Sequence, residues 1–194
     1  SVIVSVGVHG DETGPIEVLA HLLEALSLAP QLLAVNLSRA QLREPGLVDM
    51  VRDALRSADM EPRQLVLEVT ESLAAQDALV QTTLQELRAM GVALSLDDFG
   101  TGYSSLSRLK NLPFDQLKID ASFVRDLVTN PSDSAIVKAI IDLGKTLHVE
   151  ILAEGVETQA QMDILVALGC EKFQGYLHGK PMPISEVAAN LLTG

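Results

Sequence analysis

Seven short runs of valine, isoleucine and leucine constrain this chain more than any other feature. They cover residues 2–8, 32–36, 65–69, 92–96, 116–119, 149–153 and 172–174. Between them lie longer stretches with apolar residues at helical spacing, 15–28, 47–58, 75–90, 132–147, 158–168 and 185–192, with a weaker one at 104–110. The runs show no polar alternation, so each predicts a strand buried on both faces, as in a parallel sheet covered by helices. The punctuation agrees. Pro15 suits a first helical turn, Gly91 and Gly169 suit helix ends, and Ser132 or Asp133 suits an N-cap after Pro131. Repeated βα units make an α/β protein, here a TIM-barrel-like (β/α) barrel. A closed barrel has eight strands and the sequence supplies seven, so one unit is incomplete or rebuilt. An open doubly wound sheet is the alternative. No linker, low-complexity stretch or charge block divides the chain, and 1–194 reads as a single domain.

Composition removes several function classes. With 47% apolar and 21% charged residues the chain can build a core and is not disordered. Lys and Arg number 14 against 26 Asp and Glu, a net charge of −12, which opposes binding to nucleic acid polymers or anionic membranes. An aromatic content of 3% leaves little for base stacking. A phosphate ligand would therefore need a metal or a local basic group. No apolar run is long enough for membrane insertion. A lone cysteine excludes a disulfide framework and fits a reducing compartment, so the expected location is cytoplasmic. The chain begins with Ser and reads as a processed or excised piece.

Function is signalled by where the acids fall. Glu68, the Asp97-Asp98 pair and Glu154 end three of the runs, and Asn36 ends another. In a parallel sheet all strand C-termini share one face, and barrel enzymes place their chemistry there. Four carboxylates gathered in a partly desolvated mouth repel one another, and oxygen-seeking divalent cations relieve that repulsion. The alternative is that each acid caps the helix after it from a solvated loop. Lys118, inside an apolar run, needs a partner, and an acid-ringed site supplies one. Gln174 adds a polar group at the last strand, and Gly100 and Gly102 give the loop after Asp98 a tight path.

The motifs Val35-Asn-Leu-Ser38, Leu67-Glu-Val-Thr-Glu-Ser72, Leu96-Asp-Asp-Phe-Gly-Thr-Gly-Tyr-Ser-Ser105, Leu117-Lys-Ile-Asp120, Ala153-Glu-Gly-Val-Glu157 and Phe173-Gln-Gly-Tyr176 follow in this order. From about residue 32 to 194 the chain resembles an EAL domain, the cyclic di-GMP phosphodiesterase family of bacterial signalling. The resemblance implies a variant TIM barrel with a two-metal site for Mg²⁺ or Mn²⁺. It makes Asn36, Glu68, Asp97, Asp98 and Glu154 metal ligands. It makes Lys118, Glu154 and Gln174 the groups acting on the catalytic water, with Glu154 a candidate base. Glu71 and Glu157 would brace the loop from Asp98 to Ser105, which in that family couples the site to dimerisation, so a homodimer is an expected assembly.

The resemblance departs at the start. The family's first strand carries a Glu-Ala-Leu motif whose glutamate binds metal and whose following arginine touches phosphate. Glu24-Ala25-Leu26 falls inside the helical stretch 15–28 and lacks that arginine. Instead, Val4 to Ala20 resembles the start of the zinc-dependent succinylglutamate desuccinylase/aspartoacylase family, in which the pair matching His9 and Glu12 binds zinc. Residues 1–31 thus read as a foreign βα unit ahead of an EAL-like 32–194, a chimera. His9 or Glu12 is then a candidate replacement for the missing metal ligand, against the alternative of a solvated loop. The expected function is metal-dependent hydrolysis of a cyclic dinucleotide, impaired by the missing strand. An inactive EAL-like barrel or engineered scaffold is the alternative.

Overall fold

The computed structural model describes residues 3–6, 32–74, 78–100 and 112–180. Seven strands form one sheet: β1 (Ile3–Val6), β2 (Leu32–Asn36), β3 (Leu65–Thr70), β4 (Ala93–Phe99), β5 (Gln116–Ile119), β6 (Glu150–Ala153) and β7 (Lys172–Phe173). Every neighbouring pair is parallel, and the order in space is the order in sequence. A doubly wound sheet reverses its strand order at a switch point. This one does not, so the winding is that of a barrel. Among the described residues β1 and β7 are its two edges.

The strands are less uniform than their sequences suggest. Leu33, Val35, Leu65, Leu67, Val69, Leu94, Leu96, Leu117 and Ile119 are all buried and belong to the main core. By the two-residue period of a strand they share the face turned to the helices. The alternate positions carry Asn36, Glu68, Ser95, Asp97, Gln116 and Lys118, which places these polar groups along the barrel axis. Each buried leucine contributes on the order of 2 kcal/mol.

Seven helices cover the outer face among the described residues: α1 (Arg39–Leu42), α2 (Leu47–Ser57), α3 (Glu71–Ala74), α4 (Ala78–Ala89), α5 (Ala121–Arg125), α6 (Pro131–Leu147) and α7 (Gln159–Leu168). In α2 the buried positions are Leu47, Val51, Ala54 and Leu55, one stripe at helical spacing. In α6 they are Val137, Ile140, Ile141 and Gly144.

The structure corrects some expectations. The N-cap of α6 is Asn130, whose side chain accepts from the Ser132 N–H, and Pro131 is the first helical residue; Ser132 and Asp133 lie inside the helix. The strand expected at 92–96 begins at Ala93 and runs on to Phe99. Of the helix expected over 75–90, the described part is α4, with α3 ahead of it, and 75–77 lie outside the described residues. The short helices α1, α3 and α5 hold only one turn or so each, too little for a periodic signal. Gly169 caps α7 in a left-handed conformation, as expected. The expected helices at 15–28, 104–110 and 185–192 lie outside the described residues.

Candidate active site

Lys118 is the centre of the site. Its side chain is 4% exposed, and its ammonium lies 2.7 Å from Glu154, 2.9 Å from Asp97 and 3.1 Å from Glu68. It projects from β5 and meets acids from β3, from β4 and from the residue after β6. Buried charge is tolerated only when paired, and here one cation meets three anions. An ammonium has three donors, and three carboxylates can take all of them.

Asp98 enters the same space through a defect in β4. Leu96 pairs with Leu117 and Phe99 with Ile119, so β4 holds one more residue than β5 in this interval. Such a bulge redirects a side chain. In a regular strand Asp97 and Asp98 would point to opposite faces. Asp98 instead adopts φ 55°, a left-handed conformation that Asp tolerates better than most residues, and its N–H donates to Asp97 Oδ1 at 3.0 Å. Carboxylate oxygens of Asp97, Asp98 and Glu154 consequently lie within 4.8 Å of one another. Asn36 ends β2 in register with Glu68 on β3.

Four carboxylates gather around one ammonium, and for Glu68, Asp98 and Glu154 burial first, and then neighbouring negative charge, raises the proton affinity. Burial raises the Glu154 carboxyl to about 7; Lys118 opposes this and Asp97 and Glu68 add to it. Burial likewise raises Glu68, against the pull of Lys118. Asp98 is raised by partial burial and then by Asp97 and Asp120. Burial disfavours the Lys118 charge, but Glu154, Glu68 and Asp97 outweigh it and hold its pKa above the ordinary lysine value. Burial and mutual repulsion thus favour a bound positive charge among these carboxylates, a role a divalent cation would fill. An all-oxygen donor set of carboxylates and one amide suits hard cations such as Mg²⁺ or Mn²⁺.

The structure brings Glu68, Asp97, Asp98, Lys118 and Glu154 together, with Asn36 beside Glu68 in strand register. Gln174 follows β7, its N–H bonded to Ala153 O at 2.8 Å and its carbonyl accepting from Val156 N at 3.1 Å, which seats it beside the Glu154 segment. Glu71 is buried and its Oε2 accepts from Gly100 N at 3.2 Å, at the start of the loop after Asp98. Glu157 is exposed, with its N–H held by Gln161; residues 101–111 of the loop it was expected to brace lie outside the described residues. His9, Glu12 and Glu24-Ala25-Leu26 also lie outside them.

Two features escaped the sequence reading. Asp120 follows β5 as Glu154 follows β6, and it raises the pKa of Asp98; the rule used for the other strand-end acids would have selected it. Ser95 is fully buried and donates to Gln116 Oε1 at 3.0 Å, a polar bridge between β4 and β5 on the axial face. Its signal was two polar residues in otherwise apolar runs.

A family model describing the EAL domain matches residues 16–181. The chain belongs to the EAL domain family. The match starts inside segment 1–31, so the family takes in more of the chain than the stretch from 32 onward. Over 160 residues this EAL domain is 52% identical to the bifunctional diguanylate cyclase/cyclic di-GMP phosphodiesterase MucR of Pseudomonas aeruginosa, covering 82% of this chain and 23% of MucR. A solved PaMucR phosphodiesterase in complex with c-di-GMP superposes with a TM-score of 0.84 at 48% identity, over 89% of this chain and 73% of that one. A manganese and cyclic di-GMP complex of Klebsiella pneumoniae BlrP1 superposes with a TM-score of 0.79 at 34% identity, over 84% of this chain and 43% of that one. The chain spans under a quarter of the length of the first curated relatives it matches.

Proposed function

We propose that this EAL domain hydrolyses cyclic di-GMP to a linear dinucleotide with divalent cations, Mg²⁺ or Mn²⁺, held by Asn36, Glu68, Asp97, Asp98 and Glu154. The observation that carries the reading is the buried Lys118 ammonium surrounded by Glu68, Asp97 and Glu154, with Asp98 turned in beside them. Similarity to the MucR and BlrP1 complexes supports the ligand and the need for a metal. Bound cations would supply charge neutralisation on the phosphodiester oxygens and acidify a water. The chain's own groups do the rest. Lys118 donates toward the attacking water and holds Glu154 in place. Glu154 accepts the proton that the water loses as its oxygen bonds to phosphorus; the P–O bond to the ribose breaks, and the leaving ribose oxygen takes a proton from solvent. Gln174 contributes an amide to the water and ligand network at the rim.

A non-catalytic, ligand-binding barrel is the second reading, and one observation favours it: the three Lys118 donors can all be taken by carboxylates, which leaves none for water. Turnover below that of relatives with the Glu-Ala-Leu strand fits either reading. We read 1–194 as a single barrel domain, supported by the parallel pairing of β1 with β2, and place any foreign segment ahead of residue 16, where the family match begins. The edges that β1 and β7 form among the described residues support homodimerisation. No helix among the described residues is long and apolar enough to cross a membrane, which is compatible with a cytoplasmic location.

Chromatographic measurement of cyclic di-GMP conversion with Mg²⁺ or Mn²⁺ decides between the readings. Conversion abolished by chelator and by Lys118→Ala is the expected result. A folded protein that binds the ligand without converting it would establish the second reading.

A further inference from the structure

Gln161 is 6% exposed, and its side-chain amide is fully used. Its Oε1 accepts from Glu157 N and Thr158 N, both at 2.9 Å, and its Nε2 donates to Val124 O at 3.1 Å and Arg125 O at 3.3 Å. The first pair lies on the segment that leaves Glu154. The second lies at the end of α5, which begins three residues after Lys118. Apart from the Lys118–Glu154 pair, the side-chain hydrogen bonds joining these two segments among the described residues come from Gln161.

The segments touch closely between these points. Glu154 N donates to Ile119 O at 3.1 Å. A Cβ at Gly155, whose φ is +67°, would lie 2.6 Å from Ala121 Cβ, so only glycine lets the chain pass the start of α5. On the other side a Cβ at Gly175 would lie 2.3 Å from the Val156 backbone. The Glu154 segment is thus wedged between the segments carrying Lys118 and Gln174, and Gln161 closes the wedge at its outer end.

We propose that Gln161 is a positioning residue that sets Glu154 against Lys118 by clamping the chain after Glu154 to the carbonyl end of α5. The proposal rests on the site reading above, with Glu154 as a ligand and proton acceptor. Bidentate use of one buried amide fixes both distance and angle, and displacements near 1 Å in a catalytic group lower rates by about 100-fold.

Gln161→Glu keeps the acceptor for Glu157 and Thr158 but turns a carboxylate oxygen toward two carbonyls, so it opens the clamp to α5 alone. Thr158→Ala removes the side chain that accepts from Gln161 N at the same helix start and leaves the clamp intact. Two readouts are needed: Mn²⁺ affinity by electron paramagnetic resonance without substrate, and kcat and KM for cyclic di-GMP. Expected for Gln161→Glu are Mn²⁺ binding weakened about 10-fold and kcat lowered about 10-fold at unchanged KM, with Thr158→Ala within about 2-fold on both. Ala121→Val, which widens the Gly155 contact from α5, is the second variant should Gln161→Glu not fold, and is expected to shift Mn²⁺ affinity in the same direction. Equal behaviour of Gln161→Glu and Thr158→Ala, or unchanged Mn²⁺ affinity in both clamp variants, overturns the proposal. Absent turnover with altered Mn²⁺ affinity would overturn the phosphodiesterase reading and leave the clamp standing.

Discussion

Lys118 and Lys172 both lie on strands, and each sits close to a glutamate. Lys118 is 2.7 Å from Glu154 near the C-terminal end of the sheet, and Lys172 is 2.6 Å from Glu150 at the opposite end. The distance to a glutamate does not separate them; exposure and the number of acids do. The Lys118 side chain is 4% exposed and faces three acids, whereas Lys172 is 47% exposed and faces one. At the exposed end water screens the pair and its net worth is small. At the buried end desolvation and mutual repulsion become the main forces and proton affinities move, the conditions that the proposed cation binding and acid–base chemistry require.

The sharpest way to break this comparison is to remove each lysine. Lys118→Met strands Glu68, Asp97 and Glu154 without their cation. It is expected to lower metal-free stability by about 3–5 kcal/mol in urea unfolding and to reduce cyclic di-GMP turnover by about 1,000-fold or more. Added Mn²⁺ should recover part of the stability. A loss no larger than that of Lys172→Met would mean that the buried cluster has no special standing.

Next comes pH. Glu154 titrates near 7 in the folded chain against an ordinary 4.5. Because the folded form holds its proton more tightly, the Glu154 contribution to metal-free stability is fully present below pH 4.5. On the order of 3 kcal/mol is lost as pH rises through 7. Chemical denaturation at pH 5 and pH 8 in chelator should show that loss in the wild type, a smaller one in Glu154→Gln, and its reversal by Mn²⁺ at pH 8. A wild type that loses no more stability than Glu154→Gln over this range would contradict the assignment.

Glu71→Ala removes the acceptor for Gly100 N–H at the start of the loop after Asp98. The expected cost is about 1–3 kcal/mol, with a fall in turnover of about 10-fold. Unchanged turnover at reduced stability would confine Glu71 to a structural role. The smallest effect is at the exposed end: Lys172→Met should change stability by less than about 0.5 kcal/mol and leave turnover alone.

Much of this molecule was legible in advance. The strand positions followed from dense Val, Ile and Leu runs, because a strand packed against helices needs an apolar row. The strand-end acids followed because parallel strands deliver their C-termini to one face. Other features depend on contacts between segments far apart in sequence. The β4 bulge that turns Asp98 inward needs β5 beside it to be a bulge at all. The α6 cap shifted from Ser132 or Asp133 to Asn130 because proline takes the first helical position and the cap must precede it. Gln161 looked like an ordinary helix residue, since its partners Val124 and Arg125 are more than 30 positions away.

By itself the sequence determined the βα repeat, the parallel sheet and the convergence of acids at one end, all consequences of local pattern and chain direction. Only the tertiary structure decided which face of each strand is polar, that Lys118 meets Glu68, Asp97 and Glu154 together, and that burial raises the Glu154 pKa. Those outcomes depend on desolvation and on distances of about 3 Å between strands, and neither is written in any one segment.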